Sequence, residues 1–257
     1  MNLNLIDIVV KAGDILLEGL LRDVKANYKG KSDIVTEIDL KSEAFLKEEL
    51  QKIFKGYGIV AEETSNKLID EANVIYIDPL DGTTNYYHRF PFFAISVAIY
   101  KEGLPVDAVV YNPYYKELFT ASKGEGAYLN NRRLYVSNKK SLDESLIVTG
   151  YTTSVIQKEG ERCVEMLKKI SEATHGIRKI GSAALDLCYT AMGVFDGFYE
   201  KGLKAWDVAA GKLIVTEAGG KISDLCGKCH EIDSESIVAT NSLIHDELLA
   251  ILNEQRC

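Results

Sequence analysis

The chain has 257 residues, of which 46% are hydrophobic and 26% are charged, which is enough for one large domain or two small lobes. Its net charge of −8 and its lack of a Lys/Arg-rich run argue against nucleic-acid binding, and no apolar stretch approaches the roughly 20 residues of a membrane helix. The first residues lack the basic region and apolar core of a signal peptide. We therefore expect a cytoplasmic protein with its five cysteines reduced.

Two helices are predicted in the first part of the chain. Apolar residues at helical spacing indicate one helix over residues 3–22. Thr36 is the expected N-cap of the second helix, which runs to about Phe54 and carries Asp39 in its first turn, where an acid suits the helix dipole. Asp39 gains a role beyond capping only if the fold brings it near Asp78.

Two short predicted strands end in carboxylates. Residues 58–61 lead to Glu62, and residues 74–77 lead to Asp78. If the two strands are neighbours in one sheet, Glu62 and Asp78 meet at the same edge of that sheet. A carboxylate at the end of a strand usually faces water, so the interpretation depends on which strands pair.

The stretch from Asp78 to Asn85 (DPLDGTTN) follows the second of these strands directly. Pro79 has a fixed φ and no N–H, so we expect it to stop the strand, and Gly82 allows a tight bend. Two rigidly held carboxylates beside hydroxyl and N–H donors suit a hard divalent cation that carries a phosphate. An ordinary turn after a strand explains the same residues, and the rest of the chain has to decide between the two.

The remainder of the chain divides into two parts of different character. Residues 93–129 consist of short strands separated by turns, which predicts an antiparallel meander. Residues 146–252 alternate between strands and helices. We therefore predict a single domain over residues 1–257, with lobes of about 1–142 and 143–257.

Two acids and two cysteines of the second half are candidates for chemistry. Asp207 follows Trp206 at the expected start of a helix, where an ordinary capping acid is equally plausible. Glu200 ends a strand and could be a solvated edge residue. Cys226 and Cys229 offer half of a zinc site, but a structural site needs about four ligands, so a hairpin turn with free thiols is favoured.

Together these segments resemble the inositol monophosphatase family of metal-dependent sugar phosphatases, in the same order over nearly the whole chain. Its Glu-Glu motif is matched with two departures, because Ala61 and Thr64 replace the usual glycine and serine. The matching segments are DPLDGTTN at 78–85, AWDVAAG at 205–211, EAGG at 217–220, DIVTEID at 33–39, GSAALD at 181–186 and the pair Glu62-Glu63.

The resemblance implies an α/β fold, a layered α-β-α-β-α sandwich, and phosphomonoester hydrolysis by a water that two or three Mg²⁺ ions activate. Thr83 and Asp39 would orient this water, with Glu62 as a further catalytic residue, and Lys31 would lie near the mouth of the site. The implied ligands of the ions are Glu62, Asp78, Asp81, Asp207 and the Leu80 carbonyl oxygen. The implied substrate contacts are Gly82, Thr83, Gly181, Ser182, Ala183, Glu200 and Asp207.

The resemblance leaves several substrates open. Inositol monophosphate is the first expectation, but relatives also act on fructose 1,6-bisphosphate, 3′-phosphoadenosine 5′-phosphate and histidinol phosphate, and Lys204 could meet a second phosphate. The spacing Asp78-x-x-Asp81-x-Thr83 differs from the Asp-x-Asp-x-Thr motif of phosphatases that form an aspartyl-phosphate. A regulatory binding protein that has kept the fold is the alternative from another class. Because relatives are commonly dimers, we expect a homodimer, with neither a membrane nor nucleic acid as partner.

Overall fold

The structure is a computed structural model that describes residues 2–28, 34–64 and 72–253. Lys31, Asp33 of the motif at 33–39, and Cys257 lie outside these residues. The described helices are α1 (Leu3–Leu20), α2 (Glu37–Ile53), α3 (Thr83–Tyr87), α4 (Thr153–Ala173), α5 (Ala183–Ala191), α6 (Ala205–Glu217) and α7 (His245–Asn253). The described strands are β1 (Ala26–Tyr28), β2 (Ile34–Thr36), β3 (Gly58–Ala61), β4 (Asn73–Asp81), β5 (Ala94–Lys101), β6 (Leu104–Asn112), β7 (Glu117–Ser122), β8 (Gly126–Leu129), β9 (Arg132–Arg133), β10 (Leu146–Thr149), β11 (Gly176–Arg178), β12 (Gly197–Lys201), β13 (Lys221–Ser223) and β14 (Ser236–Thr240).

A seven-stranded sheet has the strand order β3-β4-β5-β6-β7-β8-β9. β3 and β4 are parallel, and every later pair in this sheet is antiparallel. Side chains of β5 alternate between its two faces: Ile95, Val97 and Ile99 pack with α1 and α2, whereas Ala94 and Ala98 pack with α5 and α6. The predicted meander is therefore confirmed, and the sheet is buried on both faces.

A five-stranded sheet has the strand order β11-β10-β12-β14-β13. β10 is parallel to both β11 and β12, and β14 is antiparallel to its neighbours β12 and β13. Val148 and Phe198 pack toward α5 and α6, and Ile147 and Val238 pack toward α4 and α7. This sheet, too, is covered by helices on both faces, as its parallel part requires.

Five layers follow from these contacts. They are α1 with α2, the seven-stranded sheet, α5 with α6, the five-stranded sheet, and α4 with α7. This confirms the predicted α-β-α-β-α sandwich. α6 is buried along most of its length because it lies between two sheets. Within the part of the chain that the structure describes, no helix combines the length and apolar character needed to cross a membrane.

β4 differs from its prediction. It continues through Asp78 and Pro79 to Asp81, with an irregularity in its pairing to β5 between the two acids. The prediction that Pro79 stops the strand is therefore wrong. A proline cannot donate to the ladder, and it is tolerated here because the regular pairing is interrupted at this point. Gly82, with φ at +87°, ends the strand and begins α3, a short helix that the sequence did not predict.

α2 begins at the predicted N-cap. The Thr36 hydroxyl accepts a hydrogen bond from the amide of Ile38 at 3.1 Å, and the Asp39 carboxylate accepts one from the amide of Thr36 at 2.9 Å. This reciprocal capping box satisfies donors that a helix start otherwise leaves without partners. It also fixes the buried Asp39 side chain in one orientation.

Candidate active site

Glu62 and Asp78 are brought together by the pairing of β3 with β4. The parallel register places Ala61 opposite Ile77, and the amide of Glu62 donates to the carbonyl of Ile77 at 3.2 Å. The next residue of each strand is an acid, so two carboxylates stand at the same sheet edge. Burial raises the pKa of Asp78 well above its ordinary value, and the charge of Glu62 raises it further.

Asp81 connects the seven-stranded sheet to the start of α5. Its Oδ2 accepts hydrogen bonds from the Ala184 amide at 2.8 Å and from the Ser182 hydroxyl. Burial raises the pKa of Asp81 to about 6, although these hydrogen bonds favour its charged form. Ser182 is also the N-cap of α5, because its side chain accepts from the amide of Leu185. The predicted substrate-binding segment Gly181–Ala183 thus lies directly beside this acid.

Asp207 joins the group from the first turn of α6. Its Oδ2 accepts a hydrogen bond from the Lys204 amide at 2.6 Å, which holds the carboxylate at the helix start. Burial raises the pKa of Asp207 well above its ordinary value, and the charges of Glu62 and Asp81 add to the effect. Because the acids perturb one another, Glu62, Asp78, Asp81 and Asp207 form one electrostatic cluster from three separate parts of the chain.

Thr83 links Asp39 to this cluster. Its Oγ1 lies 2.9 Å from Oδ1 of Asp39 and 3.0 Å from the Leu80 carbonyl oxygen. A hydroxyl has one proton and two lone pairs, so Thr83 can donate to one of these acceptors and still accept a hydrogen bond from a third group. Burial raises the pKa of Asp39, while the hydrogen bonds from Thr36 and Thr83 counteract that rise. The predicted catalytic pair is therefore in contact.

Gly82 and Asn85 fix the position of α3. A Cβ at Gly82 would lie 3.0 Å from the carbonyl oxygen of Phe92 and 3.2 Å from that of Gly181, so a side chain there would crowd the backbone. The Asn85 amide donates to the carbonyls of Phe92 at 2.7 Å and Ile180 at 2.8 Å. Asn85 thereby ties the motif at 78–85 to the segment before α5. The sequence did not predict this contact, because its acceptors are backbone atoms far away in the chain.

Glu200 is buried at the end of β12 beside Gly150. Burial raises the pKa of Glu200 to about 8; the charge of Asp81 raises it further, and that of Lys179 opposes the rise. A Cβ at Gly150 would lie only 2.2 Å from Oε2 of Glu200, so the missing side chain makes room for the carboxyl. No sequence signal indicated Gly150, since its importance depends on the position of Glu200.

Asp186, the last residue of the motif at 181–186, is a buried acid to which the sequence assigned no role. Its side chain is almost fully buried on α5, and its Oδ1 has no hydrogen-bond partner among the described residues. Burial raises its pKa well above the ordinary value, with contributions from the charges of Glu200 and Asp81. A single acid in the otherwise apolar helix AALDLCYTA was the signal that could have indicated it.

The donor set fits a hard divalent cation. Within the described ranges, no group of three or more His, Cys, Asp or Glu side chains is already arranged to coordinate a metal ion. Glu62, Asp81 and Asp207 instead repel the buried Asp78 and one another, a situation that bound cations relieve. Carboxylate oxygens and the Leu80 carbonyl favour Mg²⁺ over soft metals. Cys226 and Cys229 are exposed and form no disulfide, and no third ligand of the described part of the chain joins them.

A five-layered α/β sandwich that brings four acids together is the arrangement expected of a metal-dependent phosphoric monoester hydrolase. The chain belongs to the inositol monophosphatase family, whose model matches residues 3–256. The "Inositol-1-monophosphatase" of Rhizobium meliloti (strain 1021) is 42% identical over 251 residues, which cover 96% of this chain and 94% of the relative.

Two solved structures extend this similarity to three dimensions. The extragenic suppressor protein suhB of Bartonella henselae has a TM-score of 0.92 at 37% identity, with 98% of each chain covered. The 2′AMP-bound SaIMPase-II of Staphylococcus aureus has a TM-score of 0.81 at 28% identity, with 98% of this chain and 96% of that chain covered. The family resemblance and the enzyme class predicted from the sequence are therefore confirmed.

Proposed function

We propose that the protein is a Mg²⁺-dependent phosphatase of small phosphorylated polyols, with inositol monophosphate as its first substrate. The observation that carries the proposal is the convergence of the half-buried Glu62, Asp81 and Asp207 on the buried Asp78. Like charges are crowded together away from bulk water only where a cation or proton balances them. Family membership supports hydrolysis of a phosphomonoester as the reaction.

The cluster would hold two or three Mg²⁺ ions. Glu62, Asp78 and the Leu80 carbonyl would bind one ion, and Asp78, Asp81 and Asp207 would bind a second. When bound, such ions lower the pKa of a water and stabilise the charge that develops on a transferring phosphate. The negative charges of the four acids would in turn hold the ions at the cluster.

Thr83 and Asp39 would orient the attacking water. Asp39 is held by the capping box at α2, and Thr83 lies within hydrogen-bonding distance of it. If Thr83 donates to Asp39, its lone pairs can accept a hydrogen bond from the water, which fixes the direction of attack. Glu62 would accept a hydrogen bond from the other O–H of the same water and could take that proton as the water attacks. Gly82 and Thr83 would contact the phosphate through their backbone amides.

Glu200 and the start of α5 would bind the leaving alcohol. Glu200 carries its proton over much of the neutral pH range, so it can donate a hydrogen bond to a substrate oxygen. Ser182 and Ala183 lie next to Asp81, and their backbone would contact further hydroxyls. A polyol, with hydroxyls around its ring, matches such a row of polar groups.

The proposal is tested by phosphate release from inositol 1-phosphate. We expect release with Mg²⁺ and none after chelation, and we expect Asp207→Asn to lose at least 100-fold in kcat/KM because a ligand charge is removed while the shape is kept. Asp143→Asn, at an exposed acid outside the cluster, is the matched control and should match wild type. Folded protein that releases no phosphate from any small phosphomonoester would overturn the proposal.

A nucleoside monophosphate is the second candidate substrate. The supporting observations are the 2′AMP bound to the staphylococcal relative and a cavity beside the segment that leads to Asp207. Fructose 1,6-bisphosphate remains a competitor, since Lys204 is exposed at the rim of the same cavity. Ranking kcat/KM over inositol 1-phosphate, 2′-AMP and fructose 1,6-bisphosphate decides among the three.

A further inference from the structure

Ser96 is a buried serine of β5 whose hydroxyl has no hydrogen-bond partner among the described residues. Its side chain is only 1% exposed, so bulk water does not supply a partner either. Buried hydroxyls normally form at least one hydrogen bond, because leaving water without a new partner costs stability. The packing of the fold therefore does not by itself explain a serine at this position.

The pairing of β4 with β5 places Ser96 directly opposite Asp78. Both side chains lie on the face of the sheet that packs toward α5 and α6, because their neighbours Ile77, Ile95 and Val97 pack on the other face. Directly opposed residues of an antiparallel pair have Cβ atoms about 4.5–5.5 Å apart. A serine hydroxyl and an aspartate carboxylate can span this separation by rotation about their own side-chain bonds.

The other neighbours of Ser96 on this face of the sheet are apolar. Ala94 and Ala98 lie two residues before and after it on β5, and Val110 faces it from β6. The helix α6 contacts β5, and its buried side chains are apolar as well. Asp78 is therefore the polar side chain that the sheet presents to Ser96. An alanine would serve the packing equally well.

The hydrogen bonds of Asp81 show what a serine can do for an acid of the cluster. Asp81 accepts from the Ala184 amide and also from the Ser182 hydroxyl, so a backbone and a side-chain donor hold it. Oδ1 of Asp78 accepts from the Leu80 amide at 3.0 Å. A hydroxyl donor opposite Asp78 would give it the same combination. Groups that hydrogen-bond to a metal ligand fix its orientation, and their loss typically lowers metal affinity about 10- to 100-fold.

We propose that Ser96 is a positioning residue of the metal site, whose hydroxyl donates a hydrogen bond to the Asp78 carboxylate when that carboxylate binds Mg²⁺. The inference rests on the proposed phosphatase function, which makes Asp78 a ligand of both ions. A hydroxyl donor favours the ionised carboxylate that a cation needs and fixes the direction of its oxygens. Ser96 would contact neither the substrate nor the attacking water, so its loss should appear first as a lower Mg²⁺ affinity.

Ser96→Ala distinguishes this role from an ordinary packing role, because metal affinity and stability should not fall together. Calorimetric titration should show a Mg²⁺ affinity about tenfold below that of the wild type, and the Mg²⁺ concentration for half-maximal turnover should rise by a similar factor. With a chelator present, the Tm of the variant should equal or exceed that of the wild type, since a hydroxyl without a partner is no longer buried. A lower Tm in chelator together with weaker Mg²⁺ binding would indicate a structural role and overturn the proposal.

A matched pair of variants isolates the hydroxyl from the rest of the side chain. Threonine and valine have nearly the same shape, but only threonine carries a hydroxyl. Ser96→Thr should therefore bind Mg²⁺ at least fivefold more tightly than Ser96→Val, and equal affinities would refute the role. Ser122→Ala is the control at another buried serine, whose hydroxyl donates to Asp107 at 2.5 Å. It should keep the Mg²⁺ affinity of the wild type and lower the Tm in chelator.

The wild type separates failure of this inference from failure of the phosphatase function. If the wild type binds Mg²⁺ and releases phosphate while Ser96→Ala binds Mg²⁺ equally tightly, the positioning role alone is refuted. If the wild type binds no Mg²⁺ and hydrolyses no phosphomonoester, the phosphatase function fails and the positioning role fails with it. Weaker Mg²⁺ binding by Ser96→Ala with an undiminished Tm in chelator supports the role even where a chosen ester is not hydrolysed.

Discussion

Replacing Glu200 with glutamine removes an ionisable carboxyl from a buried place. Glu200 lies on the same face of β12 as Phe198, which packs toward α5 and α6. Burial raises the pKa of Glu200 from 4.5 to about 8. The unfolded chain therefore releases this proton at a lower pH than the folded protein does, and ionisation favours unfolding.

The magnitude follows from the two pKa values. Their difference corresponds to roughly 4–5 kcal/mol once the group is ionised in both states, and to about 3 kcal/mol at pH 7. Glutamine keeps the size and still has to be buried, so we expect Glu200→Gln to raise the free energy of unfolding by about 2 kcal/mol at pH 7. For a chain of this length that is a rise of roughly 4–8 °C in Tm.

The assay is urea or thermal unfolding from pH 4 to pH 9 with a chelator present. The folded-state pKa is raised, so the stability of the wild type should fall as pH rises from 4.5 through 8. The gain from Glu200→Gln should be near zero at pH 4 and reach its plateau above pH 8. Glu144→Gln, at an exposed acid, is the control and should show no such trend. A gain that is independent of pH, or a loss of stability at pH 8, would refute the reasoning.

Four further substitutions probe the proposed site. Thr83→Ala should lower kcat roughly 100-fold and keep its Mg²⁺ affinity, whereas Asp78→Asn should lose activity and Mg²⁺ affinity together. Calorimetric Mg²⁺ titration separates the two variants. Loss of Mg²⁺ binding in Thr83→Ala would contradict the assigned roles. Gly150→Ala should displace the Glu200 carboxyl and raise KM for the polyol phosphate about tenfold. A KM equal to that of the wild type would disprove this prediction. Asn85→Ala should cost about 1–3 kcal/mol of stability by denaturant unfolding, because two carbonyls lose their donor; an unchanged midpoint is the contrary result.

Pro79 and Asn85 are two residues of the motif at 78–85 whose structural roles cannot be predicted from neighbouring residues alone. Proline usually ends a strand, yet β4 continues past Pro79, because the irregular pairing between β4 and β5 at this point does not need its missing N–H donor. Asn85 belongs to the same motif, yet its partners lie next to β5 and before α5. Neither the bulge nor the distant acceptors can be read from neighbouring residues.

Local sequence patterns specify the secondary-structure elements and the acids that the chemistry needs. The capped start of α2 at Thr36, the meander from β5 to β8 and the helix beginning before Asp207 are local patterns, each fixed by spacing and by the preferences of a few residues. The family resemblance extended them to a five-layered sandwich, which the packing of the helices on two sheets confirms.

Which distant groups meet depends on how the strands pair and how the layers pack. Glu62 stands beside Asp78 because β3 and β4 are parallel neighbours, and Gly150 matters because the carboxyl of Glu200 occupies the space beside it. Likewise, Oδ1 of Asp186 has no hydrogen-bond partner among the described residues because α5 is buried between two sheets, which the local sequence does not show. Contacts across layers depend on the packing of many side chains at once, whereas helix and strand signals are contained in a few consecutive residues.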